Sequence, residues 1–194
     1  MSTVGLAGTF ADILEVAKPG DQLYKWSGTP ISYAIEELTE AVVNGHEEDG
    51  PSHVINLCNF PEYSDEMYEM ESVFAYGTRL LPLSHYAKSK DRMLLCRRKG
   101  ATEQDIQKAI GAGLSVLGRS YEITEEIEIA LNKLVPWHPF QKIRATYNSL
   151  FCSGDTEWMW LNTRVPFTPA TNGANLTPMQ CMMDAGTEYV IWVN

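Results

Sequence analysis

Apolar and polar positions alternate, cluster and break along the chain in a way that predicts helices and strands mixed together. After the turn signal Pro19-Gly20-Asp21, the stretch "DQLYKWSG" reads as a strand ending at Gly28. Thr29 and Pro30 then suit the cap and first turn of a helix from Ile31 to about Val43, with Ile31, Ala34, Ile35, Leu38 and Val42 at helical spacing. A loop, "NGHEEDGPS", follows. Two strands come next, "HVINLCNF" and "DEMYEMESVF", separated by "PEYS". "GTRLLPLSHYAKSK" has no clear period and reads as irregular or short helix; "RMLLCRR" reads as a further strand.

Thr102 to Leu117 predicts a helix. Thr102 is its cap, Asp105 supports the first turn, and Ile106, Ala109, Ile110, Gly113, Leu114 and Leu117 form one apolar face up to Gly118. A second helix is expected over Thr124–Leu134, ahead of the breaker run "PWHPF". "LFCSGDTEWMWL" predicts a helix beginning near Cys152 and turning Trp158 and Leu161 inward; Gly154 costs about 1 kcal/mol against Ala if interior, less near a first turn. After the long loop "VPFTPATNGANLTP", with Thr177 and Pro178 as another cap and first-turn pair, "EYVIWVN" closes the chain as a strand. The order predicts an α+β domain spanning residues 1–194, with residues 1–18 as a helical N-terminal extension.

Composition narrows the function. The chain has 194 residues, a size at which one domain buries a real core, and 44% of them are hydrophobic. A net charge of −10 argues against a nucleic-acid partner, whose phosphates need clustered cations. The one basic stretch, Lys88 to Lys99, reads as a strand with solvated charged ends. No apolar run is long enough to cross a bilayer. The N-terminus has no basic region before its apolar residues and carries Asp12 and Glu15, so it makes a poor secretion signal, and the expected compartment is the cytoplasm. Cys58, Cys96, Cys152 and Cys181 lack zinc-site spacing; free thiols, with no metal and no cofactor, are the expectation.

A reactive cysteine needs a device that favours thiolate. A helix N-terminus is one and a neighbouring imidazole another. Cys152 is placed for the first. Of the four histidines, His46 lies in an acidic loop, His85 is uncommitted, and His138 sits between Trp137 and Pro139 as a packing residue. His53 opens an apolar strand after the small Ser52, so its ring is carried by a rigid element. On spacing alone it is either a hydrogen-bonded structural histidine or a base. Such a base needs an orienting acceptor. Glu69 and Glu71 stand two apart on the next strand and share a face, and either can serve.

The ordered series "PGDQL", "SHVIN", "MES", "LPLSHY", "LLCRRKGA", "LGRSYE", "LFCSG" and "LTPMQ" resembles the circularly permuted branch of the NlpC-type papain-like thiol hydrolases, of which lecithin retinol acyltransferase is a distant relative. That branch places its histidine strand early and its cysteine helix late. The resemblance runs from about Pro19 to the C-terminus. It implies a circularly permuted papain-like fold, a central antiparallel sheet or half-barrel packed with helices. It also implies a catalytic triad: Cys152 as nucleophile, His53 as base and Glu71, with Glu69 as the competing choice, as the acid. Pro19, Gly20 and Asp21 match the turn into the first strand, and Gly118 and Tyr121 match a G-x-x-Y-D turn. The chain departs from the pattern at Gly154 and Asp155, where a Glu or Gln usually stands two residues after the cysteine. It departs again at Glu122, and at Val54, where glycine is common. The implied activity is hydrolysis of an amide, ester or thioester through an acyl-enzyme, on a small peptide, lipid or acyl-conjugate substrate. Acyl transfer at the same site, or a binding protein on the same fold that has lost catalysis, are the alternatives.

Overall fold

The computed structural model describes residues 7–26, 41–43, 46–48, 50–73, 76–121, 149–150, 152–168 and 176–193. The fold is α+β. Seven strands form the main sheet: β1 (Ala7–Gly8), β2 (Gln22–Trp26), β5 (His53–Phe60), β6 (Ser64–Val73), β7 (Gly77–Pro82), β8 (Arg92–Arg98) and β11 (Thr187–Val193). They lie side by side in the order β1-β11-β8-β2-β5-β6-β7. Every neighbouring pair is antiparallel except β1 and β11. Two short ladders stand apart, β3 (Ala41–Val43) with β4 (His46–Glu48), and β9 (Ser120–Tyr121) with β10 (Ser149–Leu150).

The sheet is buried on both faces, which is why β5 and β8 read as near-continuous apolar runs. On one face Tyr24, Val54, Cys58, Met70, Leu94 and Cys96 pack against α2 (Glu103–Leu114), α3 (Cys152–Trp160) and α4 (Pro178–Met183). On the other, Leu23, Ile55, Leu57, Met93, Leu95 and Ile191 pack against Ile13 of α1 (Phe10–Val16) and Leu83 and Tyr86 of the 3-10 helix Leu83–Lys88. Gly113 lets α2 come close to its neighbours: a side chain there would collide with the sulfurs of Met70 and Met159. Gly20, at φ +86°, turns the chain into β2, and its amide donates to Leu57 O at 2.7 Å.

Caps behave as the sequence implies. Thr102 accepts from the Asp105 amide at the start of α2, and Thr177 from the Gln180 amide at the start of α4. Several expectations need correction. Residues 41–43, read as the end of a helix, are strand β3, and 46–48, read as loop, are its partner β4. The stretch read as irregular or short helix first supplies strand β7; the short helix follows it, as the 3-10 helix. Helix α2 ends at Leu114, before Gly118. Leu161 is 52% exposed, and the inward side of α3 carries Met159 and Trp160 instead. The rest of the helix expected from Ile31, the helix Thr124–Leu134, the "PWHPF" run with His138, and residues 169–175 of the long loop lie outside the described residues.

The basic stretch is not simply solvated at its ends. Arg97 meets both oxygens of Asp21 at 2.7 Å. Arg98 is only 3% exposed. It donates to Asp184 at 2.7 Å, to Thr187 Oγ1 at 3.0 Å and to the carbonyls of Val165 and Pro166, and its guanidinium lies 4.0 Å from the Phe167 ring centre. One buried cation thus ties β8 to the segment after α3 and to the turn before β11. Removing one partner of a buried pair leaves the other charge uncompensated. Asp184→Ala is expected to lower unfolding free energy by roughly 3–5 kcal/mol in urea titration; a loss under about 1 kcal/mol would show that the carbonyls alone suffice for Arg98.

Candidate active site

Histidine 53 is the first residue of β5, paired in register with Lys25 of β2. Strand β6 runs antiparallel beside it, with Leu57 opposite Glu69. Pleat alternation therefore puts Glu69 and Glu71 on the same face as Leu57. The Nε2 atom of His53 lies 2.8 Å from Glu71 Oε2, and Glu71 rather than Glu69 makes this bond. Oε2 also accepts from the Tyr86 hydroxyl at 2.9 Å. The other oxygen, Oε1, accepts from Arg79 Nε at 2.8 Å and Nη2 at 2.6 Å. The Glu71 side chain is wholly buried, while those of His53 and Arg79 are 13% and 29% exposed.

Cysteine 152 belongs to the core on the opposite face of the sheet. Its sulfur nevertheless raises the proton affinity of the His53 ring. His53 opens its strand, so its ring stands at the end of β5 rather than in its interior. Because Nε2 faces Glu71, Nδ1 is left for the sulfur.

The first turn of α3 is fastened to the strands that carry the other two groups. Thr156 donates to the Cys152 carbonyl at 3.1 Å and accepts from Asn56 of β5 at 2.9 Å. Asp155 accepts from Thr78 of β7 at 3.2 Å, and Thr78 is 2.9 Å from Ser72 of β6. Asn56 is three residues from His53 and Ser72 adjoins Glu71, so these bonds fix sulfur, ring and carboxylate relative to one another. Gly154 is buried in that turn without ending the helix.

The electrostatics follow from burial and partners. Burial alone would strip the proton from His53, but the Cys152 sulfur and then Glu71 outweigh it, and its pKa rises to about 10. Burial also works against charge on Glu71, yet donation from His53, Arg79 and Tyr86 holds its carboxyl well below the usual range. Glu69 is the opposite case. It is 0% exposed and neither oxygen has a hydrogen-bond partner among the described residues. Burial first, and the Glu71 charge second, push it up to about 8. Burial likewise lifts Asp155 to about 6, against the hydroxyls of Ser72 and Thr78.

Of the remaining candidates, His85 is exposed, its ring edge-on to Tyr86, and His46 falls in β4. Cys58, Cys96 and Cys181 are buried free thiols. The "PGD" turn enters β2 as read, and Gly118, at φ +79°, precedes β9. Sequence reasoning missed Arg79 and Tyr86 because both lie in the stretch without a period. Asn56, Thr78 and Thr156 give no signal in one sequence. Among the described residues no group of three His, Cys, Asp or Glu could hold a metal ion, and no helix is long and apolar enough to cross a membrane.

No family model matches the chain, and no curated protein matches it. Solved structures do share its fold. One is the metalloprotein yiiX from Escherichia coli O157:H7, described as DUF1105, with a TM-score of 0.61 at 14% identity, covering 90% of this chain and 96% of that one. At that identity the likeness is one of fold.

The neutral Glu69 has a measurable consequence. Its carboxyl binds protons more tightly folded than unfolded, so between about pH 4.5 and about 8 the folded state holds the extra proton and stability falls as pH rises. The stability of the chain relative to Glu69→Gln is expected to drop by roughly 3–5 kcal/mol from pH 5 to 8.5 in urea titrations. Parallel pH–stability curves would mean that Glu69 is ionised in the fold.

Proposed function

We propose that this protein is a thiol hydrolase working through an acyl-enzyme on Cys152. The observation that carries the reading is the 2.8 Å bond between the His53 ring and the Glu71 carboxylate, on a ring whose proton affinity the Cys152 sulfur raises. The ordered sequence motifs add the permuted NlpC-type papain-like architecture, with the histidine strand early and the cysteine helix late, as the fold that would carry it.

In this mechanism Cys152 has given its proton to His53, and the thiolate attacks an acyl carbonyl. The carbonyl π electrons move to oxygen, and the oxyanion sits near the start of α3, where the Cys152 amide in the first turn is placed to donate. The tetrahedral intermediate collapses, His53 hands its proton to the departing amine, alcohol or thiol, and a thioester to Cys152 remains. The neutral ring then takes a proton from water as it attacks the thioester, and the thiolate is expelled. Glu71 fixes the tautomer throughout. An acceptor other than water makes the same site an acyltransferase. Buried free thiols suit a reducing compartment, and we retain the cytoplasm as the proposed location. Substrates of this class are a small peptide, a lipid ester or an acyl conjugate.

The name of the yiiX structure raises a metal centre as another reading. The residues here do not fit one. Glu71 already accepts four hydrogen bonds, two of them from a guanidinium, and has no lone pair left to offer a cation.

Intact-mass analysis after brief exposure to a panel of p-nitrophenyl esters and peptidyl thioesters tests the reading. The wild-type chain is expected to gain one acyl group on Cys152, Cys152→Ala none, and His53→Ala to acylate at least ~100-fold more slowly. Failure of the wild type to acquire any acyl group across the panel would favour a binding protein that has lost catalysis.

A further inference from the structure

The triad's carboxylate is held in a way that a simple orienting acid does not need. Oε1 of Glu71 is wholly taken up by Arg79, whose Nε and Nη2 both point at it from the directly opposite position on β7. Oε2 is left to His53 and Tyr86. The order of groups is therefore sulfur, imidazole, carboxylate, guanidinium, with charge alternating along the row when the first two form an ion pair.

A buried, uncompensated carboxylate 2.8 Å from an imidazolium would hold that proton hard. The proposed reaction needs the ring to give up that proton to the leaving group in each cycle and to take another from the attacking water. We propose that Arg79 is a positioning residue of this site: by occupying Oε1 it confines the histidine bond to Oε2 and compensates the Glu71 charge, so that His53 is oriented without being locked in its protonated form. This rests on the acyl-transfer reading above for its consequence, though not for its geometry. Tyr86 shares Oε2 and carries no charge, so it restrains the carboxylate without compensating it.

The other groups near the ring do not duplicate Arg79. Cys152 and Asp155 face it from α3, Glu69 and Glu71 from β6, and Lys25 from β2. Lys25 is paired with Asp91 at 3.2 Å and lies over the Tyr86 ring. Glu69 in its neutral form adds no charge. Among these groups Arg79 is the cation bonded to Glu71.

The test is an NMR titration of the His53 ring in ¹⁵N-histidine-labelled protein carrying Cys152→Ala, which removes the sulfur's own effect on the ring. Adding Arg79→Gln, which keeps a donor but loses the charge, is expected to raise the proton affinity of His53 roughly tenfold. Arg79→Lys is expected to titrate with the parent, and Tyr86→Phe to shift by clearly less than Arg79→Gln. An unchanged or lowered titration in Arg79→Gln overturns the proposal, as does an Arg79→Lys variant displaced as far as Arg79→Gln. Should Arg79→Gln not fold, Arg79→Met takes its place: a roughly tenfold rise in proton affinity supports charge compensation and an unchanged titration overturns it. Acyl capture by Cys152 in the Arg79 variants is scored separately. Titration moving as expected in a protein that never acylates would leave the compensation standing and remove the acyl-transfer reading.

Discussion

A carboxylate with no exposed side-chain surface must have its charge answered within the fold, and the Glu71 side chain is in that position. Its answers come from three different elements: His53 at the start of β5, Arg79 on β7 and Tyr86 in the 3-10 helix. Burying Glu71 therefore draws these elements together on one face of the sheet and sets the plane of the His53 ring. The opposite face holds α3, fastened at its first turn through Asn56, Thr78 and Thr156. The imidazole at the start of β5 links the two constructions: it bonds Glu71, and the Cys152 sulfur raises its proton affinity.

Two glutamates on one strand show how environment rather than residue type assigns a role. Glu69 and Glu71 are two apart, on the same face and both buried. Glu71 accepts four hydrogen bonds and is charged; Glu69 has none among the described residues and is held neutral by burial and by its charged neighbour. This is the pattern in which paired carboxyls are driven apart in acidity. The neutral member keeps a second negative charge away from the imidazole.

The legible part of the fold was the part with a strong period. Strands β5 and β8 carry near-continuous apolar runs, β6 follows the turn "PEYS", and the capped helix α2 repeats at helical spacing. Strand β7 escaped because it lies at the edge of the sheet, where a terminal proline such as Pro82 is tolerated and no alternation is enforced. Asn44-Gly45, between β3 and β4 in the sequence, is a dipeptide typical of two-residue hairpin connections; reading 31–43 as one helix and 44–52 as a loop passes it over. In the site, Cys152 and His53 could be singled out by chemistry and order, whereas the choice between Glu71 and Glu69 could not, since pleat alternation treats them alike. Only the partners across the sheet separate them. Arg79 and Tyr86 act through contacts that have no local sequence signature.

The proposed site stands or falls on the His53 ring joining a sulfur to a carboxylate. The direct measurement is the NMR titration of His53 in the intact chain against Cys152→Ala. With the sulfur present the ring is expected to keep its proton up to about pH 10, and without it to release that proton at clearly lower pH. Identical titration curves in the two proteins would contradict the claim, because they would mean that the sulfur and the imidazole do not act on one another.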